Sequence, residues 1–125
     1  MKIVVTSTGP HLDAAVDPRF GRASYLLLVD TDNMTFEPIQ SPSVQLAGGA
    51  GVHTAQMVAA VGARAVVTGN VGPNAFHTLS AAGLKVYIGA AGSVREAVEA
   101  YLRGDLQEAG APSVRSHFGM GQSAP

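Results

Sequence analysis

Three apolar runs in the first forty residues carry the pattern of strands. Lys2 to Ser7, Tyr25 to Asp30 and Thr35 to Gln40 are rich in β-branched and aliphatic residues, and Thr31-Asp32-Asn33 supplies turn chemistry between the last two. A three-strand meander follows from that spacing. After the segment "SPSVQLAGG" the pattern alternates between helix and strand. Val52, Ala55 and Ala59 fall on one helical face, Ala63 to Thr68 reads as a short buried strand, and Pro73 to Ala82 reads as a helix with proline at its start. Leu84 to Ile88 is a further strand. In the last helix Val94, Ala97, Val98, Tyr101 and Leu102 follow the i, i+3, i+4, i+7, i+8 spacing. Arg95, Glu96, Glu99 and Arg103 point outward, and Ser93 is placed to cap it.

The order βββαβαβα predicts an α/β protein: a single three-layer α/β/α domain built on a mixed five-stranded sheet. Residues 1–110 make the domain, and 111–125, small and rich in Pro and Ser, read as a flexible C-terminal tail. In a meander the first and third strands run the same way. The carboxyl ends of the first, third, fourth and fifth strands therefore meet on one edge, where open α/β sheets bind ligands.

Composition narrows the chemistry. At 125 residues, 46% hydrophobic and 14% charged, the chain suits one globular domain. A net charge of −1 gives no broad attraction to nucleic acid or anionic membrane. There is no cysteine, so thiolate ligation, disulfides and cysteine nucleophiles are excluded. The start "MKIVVTST" lacks the pattern of a signal peptide, and no run approaches the roughly 20 apolar residues of a bilayer span. A cytoplasmic protein is the expectation. No G-x-S-x-G or H-E-x-x-H occurs, and the first strand has no acidic residue for a two-metal nuclease. These absences point to a binding protein rather than an enzyme.

Glycine-rich loops gather at the expected ligand edge: "TGPHLDAAVDPRFGRAS", "SPSVQLAGGAGVH", "TGNVGPN" and "GAAGS". Three lead into helix N-termini, whose free N–H groups favour anions. Arg19, Arg22, His53, Asn70 and Asn74 would add donors there. Each feature also has a plainer explanation. "TGNVGPN" lacks the Lys-Ser/Thr of a P-loop, the arginines can pair with Asp13, Asp17 or Asp30, and His77 reads as a structural or surface residue.

"DPRFGRASYLLLVD", "GAGVHTAQMVAAVGARAVVTGNVGPNAF", "LSAAGLKVYIGAAGSVREAVEAYLRGDL" and "HFGMG" together resemble the dinitrogenase iron–molybdenum cofactor biosynthesis family over nearly the whole chain. The resemblance implies a ribonuclease-H-like topology and a non-enzymatic carrier or storage protein for a metal–sulfide cluster. The cluster would contain molybdenum or iron, as molybdenum–copper or iron–molybdenum sulfide, like that of the small stand-alone members from anaerobes. Joined to the loop residues above, this reading gives a cofactor-binding set of Arg19, Phe20, Gly21, Arg22, His53, Gly69, Asn70 and Asn74, with His53 and, from the soft-ligand group in the tail, His117 and Met120 as metal contacts.

The "FG" loop carries Arg19 where many members have histidine, and Ala23 where several have cysteine. A thiometallate brings its own sulfide, so arginines and backbone N–H groups can hold it by charge-assisted hydrogen bonds. The tail, with His117, Phe118 and Met120, is expected to close over the cluster as a lid. Expected partners are a P-loop ATPase or a cluster-assembly protein, with no nucleic acid or membrane, and the chain itself a monomer or weak dimer. Two other classes remain in view: a phosphoryl-ligand or nucleotide-binding regulatory domain, and an interaction module for a partner ATPase.

Overall fold

A computed structural model describes residues 1–40 and 50–112 of the chain. Strands β1 (Lys2–Ser7), β2 (Tyr25–Asp30) and β3 (Thr35–Gln40) form the antiparallel meander. Then come α1 (Ala50–Ala60), β4 (Ala65–Val67), α2 (Pro73–Ala81), β5 (Lys85–Ile88), α3 (Val94–Arg103) and β6 (Gln107–Glu108). The sheet order is β3-β2-β1-β4-β5-β6, with β1, β4 and β5 mutually parallel.

The sheet thus has six strands where the sequence pattern predicts five. The extra one, β6, pairs antiparallel with β5 through Gln107 and Glu108. Two exposed polar residues have no alternation to read, and only the exposed ladder of β5 recruits them.

Alternation in the central strands sends side chains into two cores. Val4, Leu26, Leu28, Val66 and Val86 face α1 and α2 and pack with Ala55, Val58, Ala75 and Leu79. Ile3, Val5, Leu27, Val29 and Val67 face α3 and pack with Val94, Ala97 and Val98. Helices therefore cover both faces, which gives the three layers. Each fully buried Val or Leu contributes about 1.5–3 kcal/mol, so the central strands anchor the domain.

Two helical faces differ from the spacing argument. In α1 the buried residues are Thr54, Ala55 and Val58, while Ala59 is exposed. Leu102, next to last in α3, is 53% exposed. Among the described residues no helix is long and apolar enough to cross a membrane.

Candidate functional site

Strands β1, β3, β4 and β5 run in one direction, so their carboxyl ends share an edge. The chain leaving β1 crosses that edge from one face of the sheet to the other. Leu12 and Val16 lie in the α3-side core, and Phe20 lies in the α1/α2-side core at 2% exposure. Between these anchors the loop passes over the buried end of β1.

Here the loop is pinned to two strands. Thr6 Oγ1 donates to the Asp17 carbonyl at 2.7 Å, which leaves the Thr68 hydroxyl, 2.8 Å away, to donate to Thr6 Oγ1, and the Asp17 N–H donates to the Thr6 carbonyl at 3.0 Å. Next to it Pro18, Arg19 and Phe20 pair with the loop after β4. Asn70 N–H donates to the Pro18 carbonyl at 2.8 Å, and Phe20 N–H to the Asn70 carbonyl at 3.3 Å. Arg19 and Asn70 form a parallel bridge. Only glycine fits beside this pairing, because a Cβ on Gly69 would stand 2.7 Å from Pro18 Cα. Phe20-Gly21-Arg22 then closes as a single 3₁₀ turn, with Arg22 N–H donating to the Arg19 carbonyl at 3.2 Å.

The first turns of α1 and α2 meet beside this turn. Helix α1 packs against both the 3₁₀ turn and α2. A Cβ on Gly51 would lie 3.3 Å from that of Ala75. His53, in the first turn of α1, and Asn74, in that of α2, are exposed at the same sheet edge as Arg19 and Asn70. Helix α2 begins with Gly72, which provides no side-chain cap, and Pro73, which has no N–H.

The acidic residues sort the two arginines. Asp13 pairs with Arg95 at 3.2 Å, and Asp30 lies 3.7 Å from the N-terminal ammonium. Asp17 stands 3.7 Å from Arg19 Nε. No described carboxylate lies within ion-pair distance of Arg22, whose guanidinium is exposed. The edge therefore carries uncompensated positive charge, with backbone N–H groups beside it.

Of the expected contacts, Arg19, Arg22, His53, Asn70 and Asn74 are gathered at one edge. Phe20 is a core anchor of the loop rather than a surface group, and Gly69 is a point of close backbone approach. His117 and Met120 lie outside the described residues. No group of three or more His, Asp or Glu side chains that could hold a metal ion occurs among the described residues. Such a donor set suits an anion that brings its own ligands, and it does not suit a bare cation. The expectation of three helix N-termini open to an anion is corrected at α3, where the loop after β1 takes up the donors: Val94 and Arg95 N–H groups donate to the Ala14 and Leu12 carbonyls at 2.9 and 2.8 Å. Thr6 and Thr68 were not singled out by the sequence argument, and Asp17 entered it only as one of three possible partners for the arginines, a pairing that holds for Arg19. The available signal was a hydroxyl near the end of each of two otherwise apolar strands.

Comparison with known proteins agrees with this architecture. The model of the dinitrogenase iron-molybdenum cofactor family matches residues 1–104. The apo form of the orange protein from Desulfovibrio gigas superposes with a TM-score of 0.86 at 44% identity, covering 89% of this chain and 94% of that one. A Thermotoga structure provisionally described as a NifB protein gives 0.75 at 36% identity, covering 86% and 91%. An uncharacterized protein of Methanocaldococcus jannaschii is 27% identical over 96 residues, 74% of this chain and 81% of that protein.

Proposed function

Because the chain belongs to the dinitrogenase iron-molybdenum cofactor family, we propose that it is a non-enzymatic carrier or storage protein for an anionic metal–sulfide cluster containing molybdenum or iron. The observation that carries this reading is the backbone pairing of Arg19 with Asn70, which joins the Arg19–Arg22 turn to the loop that leads into the uncapped start of α2. Arginine and backbone N–H donors suit a diffuse anion, since charge-assisted hydrogen bonds are about twice as strong as neutral ones. Sulfide supplied by the cluster replaces the thiolates the chain lacks. His53 would stand near an exposed metal or sulfide of the bound cluster. A relative named for its colour and solved in an apo form supports a removable ligand. The sheet order β3-β2-β1-β4-β5, with β2 alone reversed among those five, supports a ribonuclease-H-like reading of the fold.

The test is metal and acid-labile sulfide analysis, with visible absorption, on protein purified anaerobically from its native host. The expected result is a coloured protein containing sulfide together with molybdenum or iron. The Arg19→Ala/Arg22→Ala double variant should take up far less cluster while far-UV circular dichroism and the thermal midpoint stay nearly unchanged. Colourless native protein without metal or sulfide would sink the reading.

A further inference from the structure

Asp17 is the one buried acidic residue of the described chain, 5% exposed, and it lies under the arginine loop of an anion site. A carboxylate there is costly twice over, once for its desolvation and once for its repulsion of the anion. Its contacts show what offsets both. The Oδ1 atom accepts the Arg19 N–H at 3.0 Å and stands 3.7 Å from Arg19 Nε, the inner edge of the guanidinium. The main chain of Asp17 is held on both sides by Thr6, which is in turn bonded to Thr68 below the Gly69–Asn70 loop. Asn70 closes the circuit on Pro18 and Phe20. Arg19 itself is half exposed, its side chain 51% accessible. The carboxylate thus lies beside the Nε edge of a guanidinium whose side chain is half exposed.

We propose that Asp17 is a positioning residue: its buried carboxylate fixes both the backbone and the guanidinium of Arg19 so that the outer nitrogens are presented to the anion. The proposal rests on the cluster-binding reading above and adds to it the residue that orients the ligand-facing group. A free arginine side chain must give up its rotamer freedom on binding. One already held by a carboxylate has given up much of it on folding.

Asp17→Asn separates charge from turn geometry, because an amide oxygen can still accept the Arg19 N–H. Tetrathiomolybdate, a molybdenum-containing sulfide anion, is the probe, and its affinity is measured for the full chain, Asp17→Asn, Arg19→Ala and the double variant. Arg19→Ala should weaken binding about tenfold, and Asp17→Asn about threefold. The double variant should be no weaker than Arg19→Ala alone. Removing the Asp17 charge also relieves repulsion of the anion, but that relief is the same with or without Arg19, so the cycle separates it from positioning.

A second readout needs no ligand. The Arg19 Nε–H signal should exchange with solvent more slowly in the unaltered protein than in Asp17→Asn, because the carboxylate 3.7 Å away restrains the side chain as an ion pair. If Arg19→Ala weakens binding while Asp17→Asn does not, or weakens it equally with and without Arg19, positioning is overturned and the cluster-binding reading stands. If Arg19→Ala itself has no effect while the Nε–H signal is protected, the loop's part in cluster binding fails. An Arg19 Nε–H that exchanges in the unaltered protein as fast as that of the exposed Arg22 overturns the proposal even should the variant not fold.

Discussion

Helices α2 and α3 both start after a glycine-containing turn at the carboxyl edge of the sheet, and their first turns are completed in opposite ways. At α3 every early donor is used. Ser93 accepts the Glu96 N–H at 3.1 Å, Glu96 Oε1 accepts the Ser93 N–H at 2.9 Å, and the loop carbonyls of Leu12 and Ala14 take the N–H groups of Arg95 and Val94. At α2 the cap position is Gly72, the first helical residue is Pro73, and no side chain caps the turn. The N–H groups of Asn74 and Ala75 meet no acceptor among the described residues. A helix start favours anions only while its donors are unspent. The two starts therefore differ: α3 spends its donors on the fold, and α2 keeps donors for the anion of the proposed function.

The sharpest way to break this difference is to add one methyl on each side. On the α2 side, Gly69→Ala puts a Cβ within 2.9 Å of the Cα, Cβ and carbonyl oxygen of Pro18. These are backbone and ring atoms that cannot swing away, so the Pro18–Asn70 pairing must separate. We expect a loss of about 2–3 kcal/mol in urea denaturation, the usual cost of forcing extra volume into a packed site. Loss of cluster uptake should accompany it. On the α3 side, Gly92→Ala meets the Glu96 carboxylate, a flexible group, but at φ +79. The expected cost is about 1–2 kcal/mol, from the left-handed backbone and the displaced cap. Uptake should be normal. Equal effects of the two variants on uptake would erase the distinction between the two starts.

A smaller change sharpens the comparison without moving backbone. Ser93→Ala removes the α3 cap and should cost about 1 kcal/mol of stability, while the Leu12 and Ala14 carbonyls still hold two donors. Its affinity for tetrathiomolybdate should match that of the unaltered protein. Asn74→Ala at the α2 start should do the reverse, lowering affinity modestly and leaving the urea midpoint in place. Affinity lost with Ser93→Ala would mean that α3 also faces the ligand.

This contrast was half legible in the sequence. The capping box at α3 could be read from Ser93 and its spacing to Glu96, and the three meander strands from their apolar runs and the Thr31-Asp32-Asn33 turn. The filling of the α3 start by the loop after β1 could not, because Leu12 and Ala14 act there through carbonyls that any residue carries. The buried face of α1 was misplaced by one position for a related reason. Its alanines and glycine give little contrast between faces, and Thr54 is buried although polar. Asp17 reads in the sequence as a loop carboxylate, notable only as one possible pair for the arginines. Its burial depends on Thr6 and Thr68, and the hydroxyl pair they form spans 62 residues of sequence.

The smallest expected effect lies at the opposite, amino edge of the sheet, where Tyr101 supplies an internal reference for both helix starts. Its ring meets Tyr87 edge to face, with centroids 5.0 Å apart and planes at 79°. Burial pushes the Tyr101 phenol above its ordinary value of 10.0, and the neighbouring Tyr87 phenolate adds to the rise. Above about pH 10 the unfolded chain has released a proton that the folded chain still holds, so the folded state loses ground as pH rises. The contribution is complete below the unfolded value and disappears as pH climbs through the folded one. Tyr101→Phe should therefore flatten part of the alkaline fall in thermal midpoint, and ultraviolet titration should show one fewer late-ionising phenol. The effect is slight because the ring is only partly buried. Tetrathiomolybdate affinity near neutral pH should be untouched, since neither the arginine loop nor either helix start contacts this edge. A change in affinity on Tyr101→Phe would show that the two ends of the sheet are coupled, and the differences assigned to α2 and α3 would no longer be local.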